Sequence, residues 1–138
     1  MRERRSATGS AAVELVLITP VLLVLMMFAL LAGRFSLARN QVTEAARDAA
    51  REASTWSTAD GATSAGVQRG LDSLNAGKVS CQAPQIVIDV SRLRPGGVVV
   101  ADVSCTVALD DVLGLRIAGS RTFHVRAVAV VDTFRSGG

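Results

Sequence analysis

The residue types of a hydrolase triad, Asp102, Ser104 and His124, occur in the C-terminal half of this 138-residue chain. No nucleophile elbow or other positioning motif accompanies them. His124 is the only histidine and falls on the polar face of a predicted strand, so we interpret it as a solvated or hydrogen-bonded strand residue. Asp110 and Asp111 lack the alternating oxygen ligands of a calcium loop and are interpreted as a turn. The sequence therefore predicts no catalytic residue, no metal site and no cofactor.

Cys81 and Cys105 are the only two cysteines. Cys105 falls on the apolar face of a predicted strand and Cys81 lies just before the neighbouring strand, so we predict a disulfide bond in an oxidising compartment. Closing a loop of about 25 residues contributes roughly 3 to 4 kcal/mol in the chain-entropy model. The alternatives are two buried thiols and a two-cysteine metal site, the latter disfavoured because further ligands are missing nearby.

A single carboxylate, Glu14, stands at the edge of the most apolar part of the chain. The 19 residues from Leu15 to Gly33 carry no charge, and as a helix they reach about 28 Å, enough to cross the hydrocarbon core of a membrane. Pro20 lies inside this run and predicts a kink or a loosened turn. A lone glutamate costs on the order of 2 to 3 kcal/mol near the middle of a bilayer and less at its surface, so Glu14 is expected to have a partner.

The charges beside the apolar run predict its orientation. Arg2, Arg4 and Arg5 precede it, whereas Arg34 and Arg39 follow it more widely spaced and together with acidic residues. The positive-inside rule then places the N-terminus in the cytoplasm and the rest of the chain outside. The net charge of +3 is largely this topology signal, and with aromatic residues at 4% no stacking platform or basic stripe suggests a nucleic-acid partner.

After the apolar run the pattern predicts an α+β fold. Residues 34–54 continue the helix in amphipathic form, with a seam of small residues that would let another helix or a sheet approach closely; dense alanine can also simply reflect helix propensity. The candidate packing and subunit-contact residues are Gly33, Arg34, Ala45, Ala46, Ala49 and Ala50. A loop over 54–61 and a weak second helix over 64–75 follow, the latter with Val67, Leu71 and Leu74 on one face.

Beyond Cys81 the period changes from helical to alternating. Three strands are predicted, around residues 86–90, 99–109 and 122–131, each with one apolar and one polar face. Pro95-Gly96-Gly97 suits a hairpin turn, and residues 110–119 form a longer connection that includes a short turn at 112–114. We expect a small antiparallel sheet covered on its apolar face by an amphipathic helix, and a frayed tail at 136–138.

The segment from Gly9 to Glu14 resembles the processing site of type IV pilin-like precursors, in particular the TadE-like branch of the tight-adherence (Flp) pilus system. In that family a prepilin peptidase cuts after the glycine, and a glutamate five residues into the mature chain pairs with the amino terminus of a neighbouring subunit. The resemblance implies a cut between Gly9 and Ser10, which makes Glu14 mature residue five. It extends through Gly33-Arg34 and the stretch 45–51, and it departs from the major pilins at Leu15, where they usually have an aromatic residue. This departure favours a minor subunit.

The resulting hypothesis is a leader at 1–9, a transmembrane helix at 10–33, its amphipathic extension at 34–54 and an extracytoplasmic domain at 55–138. As the resemblance implies, the partners are other pilin-like subunits, a prepilin peptidase, an inner-membrane assembly platform and an assembly ATPase. Two alternatives remain open. One is a membrane-anchored accessory or binding domain outside any filament, and the other is a secreted hydrolase cut by a signal peptidase near Gly33.

Overall fold

The computed structural model describes residues 7–78, 80–110 and 118–134, with side chains described from Ala12 onward. Its elements are α1 (Ala7–Thr55), α2 (Ala59–Ala76), β1 (Gln82–Arg92), β2 (Val98–Ala108) and β3 (Ser120–Val130). The predicted α+β class is confirmed, with a long N-terminal helix, a short helix and a three-stranded antiparallel sheet. The basic residues at 2–5, the predicted turn at 112–114 and the predicted tail at 136–138 lie outside the described residues.

The chain divides into two compact units, Met1–Arg34 and Phe35–Gly138. Within the second unit, the C-terminal part of α1 buries a face made almost entirely of alanine. Ala45, Ala46, Ala49 and Ala53 are each 0% exposed, and Val42 is the largest buried side chain of this helix. Small side chains at three- and four-residue spacing keep one face of the helix narrow, so its backbone can lie close to whatever covers it.

Helix α2 begins five residues earlier than predicted. Asp60 and Gly61 were assigned to a loop, but the hydroxyl of Thr58 accepts a hydrogen bond from the Gly61 amide at 3.3 Å and caps a helix that starts at Ala59. The predicted face is also displaced: Ala62, Gly66, Gly70 and Leu74 are buried, whereas the expected Val67 and Leu71 are only half-buried at its flanks.

The small residues of the two helices allow a very close contact. A Cβ atom built on Gly66 would lie 3.0 Å from the carbonyl oxygen of Ala49 and 3.0 Å from the Cβ of Ala53. One built on Gly70 would lie 3.2 Å from the Cβ of Ala49. Glycine at these two positions is therefore required by the approach of α1, although in the sequence both residues indicated only a weak helix.

The sheet has the strand order β1-β2-β3 and antiparallel pairing throughout. The predicted hairpin turn at Pro95-Gly96-Gly97 joins β1 and β2, and Gly96 has the positive φ of +73° that glycine tolerates best. The alternation is as predicted: Val99, Ala101, Val103, Cys105 and Val107 of β2 are all buried at 0–2% exposure. These residues pack with the alanine face of α1 and with α2 in a core that runs along the domain.

The structure contains a disulfide bond between Cys81 and Cys105, with a Cα–Cα distance of 5.5 Å. Cys105 is buried in the central strand, and Cys81 is half-buried in the segment between α2 and β1. The bond therefore ties the start of β1 to the middle strand of the sheet.

Candidate functional site

The apolar part of α1 is exposed on every side within this chain. From Val13 to Leu30 its large apolar side chains are 45–72% exposed. Exposure of so long an apolar surface to water is energetically unfavourable. Among the described residues this is the one helix long and apolar enough to cross a membrane, with a mean hydropathy of 2.9 in its most apolar window and none of that window buried. A lipid environment supplies the apolar cover that the chain itself does not.

The helix continues through Pro20. Because proline has no amide hydrogen, it cannot donate to the carbonyl of Val16, four residues before it. The hydroxyl of the neighbouring Thr19 donates a hydrogen bond of 2.6 Å to the carbonyl of Leu15, which satisfies this hydroxyl within the helix. The kink at Pro20 stays a prediction.

Glu14 is exposed near the start of this apolar stretch, next to Val13 and Leu15, which are 61% and 68% exposed. Among the residues whose side chains are described, no ion pair includes Glu14. Gly9 and Ser10 lie in the first turns of α1, and their side chains are outside the described set. The helical spacing puts the amide bond between Gly9 and Ser10 about one turn before the carboxylate. The Gly9–Ser10 cleavage site and the pairing role of Glu14 stay predictions.

The six candidate packing residues fall into two environments. Ala45, Ala46, Ala49 and Ala50 lie in the core, at most 1% exposed, and contact the sheet and α2 of their own chain. A Cβ atom built on Gly33, in contrast, would meet no atom within 4 Å. The alanine seam is therefore occupied by intramolecular packing in this structure, whereas the surface at Gly33 has room for a close neighbour, and Arg34 beside it is exposed.

The exposed face of the sheet brings together the residue types of a triad without its arrangement. Ser104 and His124 are direct cross-strand partners. Asp102, however, accepts two hydrogen bonds from the Arg126 guanidinium, at 2.8 and 3.1 Å, so its carboxylate is directed to the arginine. The hydrogen bond and charge of Asp102 raise the pKa of Arg126 above its ordinary value. A carboxylate used in this way does not orient a histidine as a triad requires.

Several structural contacts were not recognisable from the sequence. The Asp102–Arg126 pair joins two strands, and an exposed ion pair of 3.5 Å joins Arg69 of α2 to Asp48 of α1. Only the four-residue spacing of Gly66 and Gly70, opposite a helix with small residues at the same spacing, could have indicated the close helix contact.

A long, apolar N-terminal helix together with a small disulfide-bonded α+β domain is the layout of a pilin-like protein that is anchored in a membrane. The family model of the TadE-like proteins matches residues 9–51, which include Gly9, Ser10 and Glu14 as well as the alanine stretch of α1. The TadE-like resemblance is thereby confirmed, and it indicates a pilin-like protein associated with the tight-adherence pilus, in a family that is structural and not enzymatic. No curated protein and no solved structure matches the chain.

Proposed function

We propose that this chain is a minor pilin-like subunit that takes part in the assembly of a tight-adherence pilus after a prepilin peptidase has cut between Gly9 and Ser10. The observation that carries the proposal is Glu14, a carboxylate exposed among apolar side chains inside the segment that matches the TadE-like family. The apolar helix holds the subunit in the membrane before assembly and packs against neighbouring helices afterwards, with Gly33 and Arg34 at the subunit contact.

The chemistry of assembly follows from the new amino terminus. Cleavage gives Ser10 a free α-amino group, which has an ordinary pKa of about 7.7–8.0 and is therefore largely protonated at neutral pH. Paired with the Glu14 carboxylate of a neighbouring subunit, it forms a charge-assisted hydrogen bond. In an apolar surrounding such a pair gains strength because the dielectric constant is low. The pair would also set the axial register between neighbouring helices, since it forms at only one offset.

The extracytoplasmic side is the proposed location of the domain that follows the membrane helix. The Cys81–Cys105 bond supports this location because disulfides persist in oxidising compartments. The proposed segments are a leader at 1–9, a transmembrane helix at 10–33, its extension at 34–54 and the remaining domain at 55–138. The proposed partners are other pilin-like subunits, the prepilin peptidase, the inner-membrane platform and the assembly ATPase.

The first test is the mature N-terminus, measured by mass spectrometry of the membrane-associated protein from a host with its prepilin peptidase. A terminus at Ser10 supports pilin-type processing. An intact leader favours an anchored accessory domain outside any filament, and a terminus near Gly33 favours secretion. Deleting the peptidase should restore the leader in the first case alone.

The second test replaces Glu14 by glutamine, which keeps the size of the side chain and removes its charge. We expect Glu14→Gln to insert in the membrane normally and to be lost from sheared pilus fractions. Glu44→Gln is the matched control, because Glu44 is an exposed glutamate of the same helix, with a side chain that is 63% accessible and forms an ion pair with Arg47. Normal incorporation of Glu14→Gln would contradict the proposed pairing.

A further inference from the structure

The two outer strands of the sheet differ in how well their free edges are protected. Strand β1 is interrupted by register shifts at both ends, contains Pro84, and has a positive φ of 48° at Ala83. Strand β3 pairs with β2 over eleven consecutive residues without a shift and contains neither proline nor glycine. Bulges and proline are devices that prevent an edge from pairing with another chain. Strand β1 therefore has both of these features, and β3 has neither.

The inner face of β3 is also incompletely covered. The inward side chains of β2 are all fully buried, but those of β3 from Phe123 to Ala129 are only half-buried. Helix α2 lies against β1, where Ile86 and Ile88 approach Gly70 and Gly66. Helix α2 thus covers part of β1, where Ile88 is buried and Ile86 and Val90 are half-buried. An apolar ledge of half-buried side chains, Phe123, Val125, Ala127 and Ala129, runs along the β3 edge. We call this the β3 ledge.

We propose that β3 pairs antiparallel with β3 of a second copy of this chain, which joins the two sheets into one of six strands. A second copy is favoured because it supplies a strand with free backbone groups for hydrogen bonding to β3. It also supplies a second β3 ledge, which can cover the half-buried apolar side chains of the first. Among the described residues, the backbone hydrogen bonds of β3 from Ser120 to Val130 go to β2 alone.

The side chains of β3 are compatible with this self-pairing. With the twofold axis at Val125, the large Phe123 of one copy lies opposite the small Ala127 of the other, so the two ledges interlock. Arg126 is the charge nearest the axis, and it is held by Asp102 of its own chain, at 2.8 Å between Nε and Oδ1. The pairing therefore does not bring two uncompensated arginines together.

The buried area of this contact indicates the conditions under which two copies pair. Eleven residues span about 36 Å, and an edge about 10 Å thick would bury roughly 700 Å² in total, below the 1,200 Å² of a stable protein–protein interface. Such a contact is weak between free molecules, but a shared membrane raises the effective concentration of one copy near another. This interface does not depend on incorporation into a pilus and forms between two anchored copies.

Cysteine cross-linking of the full chain in detergent micelles or membrane discs tests the pairing. His124→Cys places an exposed thiol beside the axis, and in the paired state the two thiols lie diagonally about 7–8 Å apart. A bismaleimide linker of that length should give a covalent dimer. Val87→Cys is the matched control on β1, because Val87 is exposed but would lie five strand spacings, about 24 Å, from its equivalent. The native cysteines are joined to each other and do not react.

A second substitution separates edge pairing from accidental proximity. Ala127→Lys introduces an inward charge at the edge and should abolish the His124→Cys dimer, while Ala127→Ser, which stays small, should retain it. An intact Cys81–Cys105 bond and unchanged Trp56 fluorescence report that each variant is folded. Equal cross-linking of the His124→Cys and Val87→Cys proteins, or a monomer in both, would overturn the proposal. Persistence of the dimer in Ala127→Lys, or capture of a different protein by the thiol of His124→Cys in native membranes, would also overturn it.

Discussion

Replacing Gly66 by alanine tests the close contact between α1 and α2. The new Cβ would lie 3.0 Å from the carbonyl oxygen of Ala49, 3.0 Å from the Cβ of Ala53 and 3.2 Å from Cδ1 of Ile88. The first two atoms cannot rotate away, since one is backbone and the other is the whole side chain of an alanine. The two helices must therefore move apart by a few tenths of an ångström, and the core between them loosens.

The magnitude follows from two opposing effects. Overpacking a close-packed site costs about 1–3 kcal/mol, whereas alanine stabilises a helix interior by about 0.8–1.0 kcal/mol relative to glycine. We expect Gly66→Ala to lower the free energy of unfolding by about 1 kcal/mol. For a domain of this size that lowers Tm by about 4–8 °C. Gly66→Val adds two further methyl groups to the same space and should cost clearly more.

The assay is thermal unfolding of the full chain in micelles, followed by the fluorescence of Trp56. It is the only tryptophan, and it lies in the turn between α1 and α2, where its indole nitrogen donates a 3.2 Å hydrogen bond to Glu52. Gln68→Ala is the control, because Gln68 is exposed on the same helix. If Gly66→Ala proves as stable as the wild type or more stable, the proposed steric requirement at the helix contact is refuted.

Three further predictions concern the same domain. Cys105→Ala should lower the free energy of unfolding by roughly 3 to 4 kcal/mol, because it opens a loop of about 25 residues and leaves a gap in the core. Denaturant unfolding with and without reductant measures the contribution of the disulfide bond. Equal stability of the wild type in the two conditions would contradict the prediction. Gln41→Ala removes the part-buried 2.8 Å hydrogen bond from the Gln41 amide to the carbonyl of Leu74 and should cost about 1 kcal/mol by the same assay, whereas Asn40→Ala on the exposed side should cost much less. The Ser91 amide donates a hydrogen bond to the Asp89 carboxylate, and this bond is the main cause that lowers the pKa of Asp89 below 3.8. The Asp89 carboxylate therefore binds a proton less readily in the folded state than in the unfolded state. Its contribution to the free energy of unfolding is complete above pH 3.8 and is lost as the pH falls through the lower pKa of the folded state. Unfolding of Asp89→Asn should show a shallower loss of stability on acidification, and an acid limb as steep as that of the wild type would refute this.

The alternation from Val99 to Val107 predicted the buried face of β2 because side chains on a strand alternate with a period of two, and the structure confirms it. The predicted start of α2 was wrong because Asp60 and Gly61 have turn propensity, which the N-cap at Thr58 outweighs. The roles of Gly9, Ser10 and Glu14 stay predictions; they were proposed because the spacing of these residues before an apolar run is local information, and all three lie within residues 9–51, which match the TadE-like family.

The sequence by itself determined the apolar helix, the three strands and the pilin-like class, since each depends on the order of residues within one short segment. The partner of the alanine seam was not determined, because one row of small residues suits a neighbouring subunit as well as a sheet of the same chain. Tertiary structure decided that Ala45, Ala46, Ala49 and Ala50 pack inside the domain. It also decided that Asp102 binds Arg126 and not His124, and that the register shifts fall in β1 whereas β3 pairs with β2 without a shift. These outcomes depend on which distant segments meet in space, and no local pattern encodes that.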